Sequence, residues 1–98
     1  MPKTRIEWDE VKNKSNKSKH GVSFPEAASV FVDDRAILIA DPSHSDDEDR
    51  FLLLGMSAAL RTLVVCHCYK ESAEVIRIIS ARKASRKERK TYAQRWSK

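Results

Sequence analysis

EVIRIISARKASRKERKTYAQRW, residues 74–96, joins a strand pattern to a basic helix pattern, and its reading decides the fold class. Val75, Ile76, Ile78 and Ile79 surround Arg77 in an extended, apolar run. Ser85 and Glu88 have the spacing of a capping box, in which hydroxyl and carboxylate satisfy orphan backbone donors at a helix start. Arg89, Tyr92, Ala93 and Trp96 then fall on one helical face. Ser80-Ala81-Arg82-Lys83-Ala84 reads as the connector between strand and helix. Residues 82–98 hold eight basic side chains and one acidic one. Arg86 and Lys87 fall in the first helical turn, where the macrodipole disfavours cations by about 0.3–1 kcal/mol each. A fold gains nothing from them there, so the placement suggests an anionic partner. The other reading is a solvated basic face.

Outward from this stretch, Arg50 to Ser57 and Thr62 to Tyr69 read as apolar strands joined by a turn around Ala58 to Arg61. A tight turn through Lys70-Glu71-Ser72-Ala73 leads into the last strand. Upstream, Ala36 to Ala40 is a strand, followed by the acidic loop DPSHSDDED from Asp41 to Asp49, whose spacing fits no cation loop. Ser23-Phe24-Pro25-Glu26 repeats the capping-box spacing ahead of a short helix with Ala27, Ala28, Val30 and Phe31 as its apolar face, ended by Asp33-Asp34. Asp9 caps an earlier helix through EVKNKSNKSK, which ends at His20-Gly21 and carries too few apolar residues to be other than a surface helix. Arg5-Ile6-Glu7-Trp8 opens the chain as a short strand. The order β-α-α-β-β-β-β-α implies an α+β fold. It is an antiparallel meander with two N-terminal helices and a C-terminal helix, the helices mainly on one face.

The 98 residues suit one domain, 1–98, with a modest core. The N-terminus lacks an apolar signal region and no apolar run approaches the roughly 18–20 residues that span a bilayer, so a cytoplasmic protein without a membrane partner is expected. Charge is blocked: residues 1–20 carry +3, residues 21–60 carry −6, and residues 82–98 carry +7. A net charge of +5 and a pI near 9.4 favour a polyanion, nucleic acid or an acidic protein. Cys66 and Cys68, two apart on a strand, share a face, are poorly placed for a disulfide, and find no further ligands for a metal. No cofactor is expected.

On the fourth strand Leu63, Val65, His67 and Tyr69 share one face, and Val64, Cys66 and Cys68 the other. Two registers against the fifth strand are open. One sets His67 opposite Arg77, with the cysteines above Ile76 and Ile78; a slip sets His67 with Ile76. The first spares Arg77 burial in an apolar layer and is preferred. It makes a shallow open face of His67, Tyr69 and Arg77, bordered by Arg82 and overhung by Glu88 and Tyr92. Such a set suits RNA. Guanidinium groups hold phosphate bidentately and stabilise developing charge. His67, Glu88 or Tyr92 can move protons, and the 2′-hydroxyl can itself be the nucleophile, so no metal is required. The structural alternatives are a satisfied core histidine, an Arg77 paired with Glu74 or Glu71, a Glu88 used as a cap, and a Tyr92 used in packing.

The segments IEWDEVKNKSNKSKHGVSFPEA, RFLLLGMS, LVVCH and IRIISARKASRKERKTY together resemble the BrnT family of type II toxin–antitoxin systems, over roughly Ile6 to Tyr92. The resemblance implies a compact RelE-like α+β fold and a ribonuclease that arrests translation. It also implies a BrnA-like ribbon-helix-helix antitoxin, with operator DNA bound only through that antitoxin. It points to His67, Arg77, Arg82, Glu88 and Tyr92 as site residues. Arg77 and Arg82 are expected on the scissile phosphate, His67 as proton donor or acceptor, and Tyr92 as a positioning group. Lys19, Arg50, Lys83 and Arg86 are further candidates for the RNA backbone. The competing reading is a non-catalytic module of the same fold that binds protein or nucleic acid.

Overall fold

The computed structural model describes residues 4–40, 50–70 and 74–95. The acidic segment 41–49, residues 71–73 of the expected tight turn, and Trp96, expected on the last helix, lie outside the described residues. The chain runs β1 (Arg5–Glu7), α1 (Glu10–His20), α2 (Phe24–Ser29) with a 3-10 turn over Val30–Val32, β2 (Ile37–Ala40), β3 (Phe51–Met56), β4 (Thr62–Lys70), β5 (Val75–Lys83) and α3 (Arg86–Gln94). The α+β class and the element order are those read from the sequence.

The helix ends form where the local chemistry puts them. The Asp9 carboxylate accepts from the Val11 and Lys12 amides, and Gly21 closes α1 in the left-handed region at φ 71°, where its N–H reaches the Lys17 carbonyl. Ser23 caps α2 by accepting from the Glu26 amide. The Glu26 side chain does not complete a capping box; it accepts instead from Ser57 and Arg61, tying α2 to the β3–β4 turn. At α3 the box is complete: Glu88 N–H donates to Ser85 Oγ at 3.1 Å and Ser85 N–H to Glu88 Oε1 at 2.7 Å.

The sheet order is β1-β5-β4-β3-β2. It is mixed, because β1 pairs parallel with β5, Arg5 to Val75 and Glu7 to Arg77. No hairpin joins the first strand to the last, so no turn imposes an antiparallel direction. The last strand runs four residues further than expected, because Ser80 to Lys83 pair with Cys66 to Leu63. What looked like a connector in sequence is the second half of β5, paired with β4 as the first half is.

Alternation along β3 and β4 sends Leu53, Leu63 and Val65 to one side, where they meet Val22, Phe24, Ala27, Val30, Ile78 and Ala81 under α1 and α2. Burying a side chain such as Phe24, fully enclosed here, is worth about 1.5–3 kcal/mol over leaving it in water. Leu54 and Val64 point to the other side, where Ala84 and Tyr92 bring α3 down on them. The Tyr92 hydroxyl donates to Asp33 at 2.6 Å, and the same carboxylate takes the Met56 and Arg35 amides. Burial pushes the Asp33 carboxyl up, but these three donors outweigh it and leave it below the usual range.

Gly55 sits where β3 passes the end of the 3-10 turn. A Cβ there would lie 2.8 Å from Val30 Cγ1, 2.9 Å from Ala36 Cβ and 3.0 Å from an Asp33 oxygen. Gly55→Ala is therefore expected to lose about 1–3 kcal/mol of stability through overpacking, read as a lower urea midpoint with unchanged slope.

Candidate nucleic-acid interface

Opposed residues on paired strands share a face, and the register fixes which residues those are. Cys66 faces Ser80, Val64 faces Arg82, and Leu52 and Leu54 complete the row from β3. α3 covers the Leu54–Val64 half of this face. The other half stays open as a cavity of about 310 Å³, walled by Arg50, Leu52, Cys66, Ser80 and Arg82, with His20 of α1 at its rim. A second hollow of about 180 Å³ adjoins it over the β5 edge, between Lys12 and Lys19 on α1 and Ile79 and Ser80 on β5.

Arg82 is held at the groove by a two-pronged ion pair. Its two terminal nitrogens donate to the two Glu88 oxygens at 2.7 and 2.9 Å. That fork, and then the Ser85 amide, holds the Glu88 carboxyl down at about 2, so Glu88 is an anion at neutral pH. Arg82 also donates to the Lys83 carbonyl at 3.3 Å and, half-exposed, lines the cavity. Across from it, Arg50 has an Nε that is shielded from solvent and finds no hydrogen-bond partner among the described residues.

The family model for BrnT, the ribonuclease toxin of type II toxin–antitoxin systems, matches residues 8–88. The chain belongs to the BrnT family. A crystal structure of the Brucella abortus ribonuclease toxin BrnT matches with a TM-score of 0.63 at 27% identity, over 85% of this chain and 99% of that one. Comparison with the curated proteins returns no match. Membership in the BrnT family makes this chain kin to ribonucleases that work beside an antitoxin.

Against that kinship, the expected site residues divide. Arg82 and Glu88 meet at the groove, and Arg50 and Lys19 flank it. Arg77 lies on the same face, opposite Cys68, but toward the β1 end, where it donates to Glu7 at 2.8 Å beside Lys70. Arg86 is exposed in the first turn of α3. Lys83 pairs with Leu63 of the opposite, core-facing side and acts electrostatically on Glu26.

His67 and Tyr69 are not on the open face. The preferred register, His67 opposite Arg77, is corrected, and so is the slip: His67 pairs with Ile78, Cys68 with Arg77, and Cys66 with Ser80. An irregularity between Cys66 and His67 leaves Ile79 without a partner, so Arg77 and Ser80, three apart, share a face. The cysteines, buried and not joined in a disulfide, accordingly face Arg77 and Ser80 rather than Ile76 and Ile78.

His67 is fully enclosed, edge-on to Phe31 at 4.8 Å between ring centroids. Its Nδ1 sits 3.1 Å from the Val65 carbonyl and its Nε2 3.3 Å from the Tyr69 hydroxyl, so the neutral ring with its proton on Nδ1 satisfies both. Burial pushes this imidazole below its ordinary 6.5, opposed by the Val65 hydrogen bond. Unfolding returns the ring to water, where it takes up a proton near 6.5, so the unfolded state binds more protons below that pH. Stability is expected to fall as pH drops below about 6.5, by at most about 1.4 kcal/mol per pH unit. Urea unfolding at pH 7.5 and 5.5 checks this, with His67→Leu expected to flatten the difference.

His20 is the groove residue that sequence reading passed over. In sequence it is accounted for as the last residue of a capped helix. Its place beside Ser80 depends on a tether from α1 to β5 through Asn16, 65 positions from Ala81, and no local pattern carries that. Among the described residues no group of three or more His, Cys, Asp or Glu is placed to hold a metal ion.

Proposed function

We propose that this protein cleaves RNA in the open-face groove between Arg50 and Arg82. The carrying observation is the Arg82–Glu88 fork at the wall of a solvent-open, cation-lined cavity that neither helix layer covers. Arg82 and Arg50 take the scissile phosphate, whose charge grows in the transition state. Arg77 and Lys19 hold neighbouring phosphates, and Arg86 extends the basic field. Glu88 orients Arg82, while His67 and Tyr92 keep the sheet and α3 in place. The substrate's own 2′-hydroxyl attacks phosphorus, giving a 2′,3′-cyclic phosphate and a 5′-hydroxyl with no metal in the step. A BrnA-like ribbon-helix-helix antitoxin silences the enzyme by covering the same basic face, and carries the complex to operator DNA. Working in the cytoplasm, such an enzyme arrests translation by cutting messages.

The test is cleavage of a long single-stranded RNA by purified protein in excess EDTA, with end-group analysis. Cyclic phosphate ends support the reading. Intact RNA both in buffer and in a translation extract favours the non-catalytic binding module instead.

A further inference from the structure

The two hollows on the open side are one track. The larger, between Arg50 and Arg82, and the smaller, between Lys12 and Lys19, share His20, Ile79 and Ser80 as their common wall. Cations of both hollows thus flank a single imidazole along the β5 edge, a continuous basic lining of the kind that holds a polyanion. The backbone under His20 is pinned. Gly21 N–H donates to the Lys17 carbonyl at 2.9 Å, Arg61 donates to the Gly21 carbonyl at 3.0 Å, and Asn16 donates to the Val22 carbonyl at 2.8 Å. The imidazole itself is exposed. The backbone that carries His20 is thus held at the wall that the two hollows share, within reach of a strand lying along them.

Resting on the groove reading above, we infer that His20 is the general acid of RNA cleavage, donating its proton to the departing 5′-oxygen. In the step, the 2′-oxygen forms a bond to phosphorus and gives up its proton to solvent water. The bond from phosphorus to the 5′-oxygen breaks, and that oxygen takes the His20 proton. The products are a 2′,3′-cyclic phosphate and a 5′-hydroxyl, with no net oxidation. The arginines can offset charge on the phosphate oxygens but cannot neutralise the leaving alkoxide. Arginine and lysine hold their protons at neutral pH, serine is a far weaker acid, and Cys66 is buried. Imidazole is the lining group whose chemistry suits proton donation near neutrality.

The test uses the full chain on an RNA with one cleavable linkage, and on the same RNA with sulfur replacing the bridging 5′-oxygen. A thiolate leaves without a proton. His20→Ala is expected to cut the oxygen substrate about 100-fold or more slowly and the sulfur substrate within a few-fold of wild type. Equal slowing on both substrates, or oxygen-substrate cleavage within a few-fold of wild type, overturns the inference. Arg82→Ala run alongside separates the two readings. If Arg82→Ala is slow on both substrates while His20→Ala is not impaired, the acid assignment alone falls. If wild type cuts neither, the groove reading falls and takes the inference with it.

Discussion

Arg82→Ala is expected to cleave RNA about 100- to 1,000-fold more slowly than wild type while unfolding at nearly the same urea concentration. The magnitude follows from removing one preorganised donor to developing charge, which costs about 2.7–4 kcal/mol in a transition state. The stability expectation follows from geometry. Arg82 is half-exposed, and an exposed ion pair contributes about 0.2–1 kcal/mol. Glu88 keeps its second duty when the guanidinium is gone, because Ser85 N–H still donates to it at 2.7 Å. Arg82→Lys keeps the charge but loses the two-pronged fork, and is expected to recover only part of the rate. A variant that cuts RNA at the wild-type rate would place the chemistry elsewhere on the molecule.

Asn16→Ala is expected to cost roughly 3 kcal/mol of stability, a large loss for a residue on an otherwise exposed helix. Beyond Glu7, β1 no longer pairs with β5, so the Ala81 backbone faces α1 with no strand beside it. Asn16 supplies the missing partner. Its Oδ1 accepts the Ala81 amide at 3.1 Å, and its Nδ2 donates to the Ala81 carbonyl and the Val22 carbonyl, both at 2.8 Å. The side chain thus stands in for a strand, closing the edge that would otherwise hold unpaired polar groups. Alanine leaves three buried backbone groups without partners, each worth about 1–3 kcal/mol if water cannot reach it. Asn16→Asp cannot donate to the two carbonyls and is expected to be no better than alanine. Urea unfolding measures the loss; a change under 1 kcal/mol would mean the edge is not held this way. Because Ser80 and Arg82 flank Ala81, the variant is also expected to lose RNA cleavage under conditions where it remains folded.

The dependence on Asn16 explains which parts of the molecule were readable in the chain. Local chemistry was legible. Asp9, Gly21, Ser23 and the Ser85–Glu88 box all terminate helices where their side chains and φ preferences direct. The apolar periods of β3 and β4 were legible too, because each residue's face is set by its neighbours alone. Arg82 and Glu88 were named as site residues, and they meet. What could not be read depends on distant partners. The irregularity opposite Cys66 and His67 shifts the parity of β5, so faces assigned by counting from Arg77 go wrong beyond Ile78. Which face of β4 is covered by α1 and α2 is equally a matter of distant partners: His67 follows Leu63 and Val65 to the covered side, where Phe31 and Tyr69 lie against it. The shift in β5 sets Ser80 opposite Cys66 on the open face. Ser80 to Lys83 look like a polar connector, yet they extend as strand because β4 offers them partners. Tyr92 was named for a site and is placed by Asp33, 59 positions away.

The measurement that tests the groove most directly is a backbone amide NMR titration of the labelled protein. The ligand is a short RNA carrying a 2′-deoxy nucleotide at the cleavage position, so that it binds without being cut. The groove reading expects the shifts to concentrate at Arg50, Cys66, Ser80 and Arg82 and along α1 at Lys19 and His20, with His67 and Tyr69 unmoved. Shifts confined to the Tyr92 side of the molecule, around Val32, Met56 and Ala58, would contradict it.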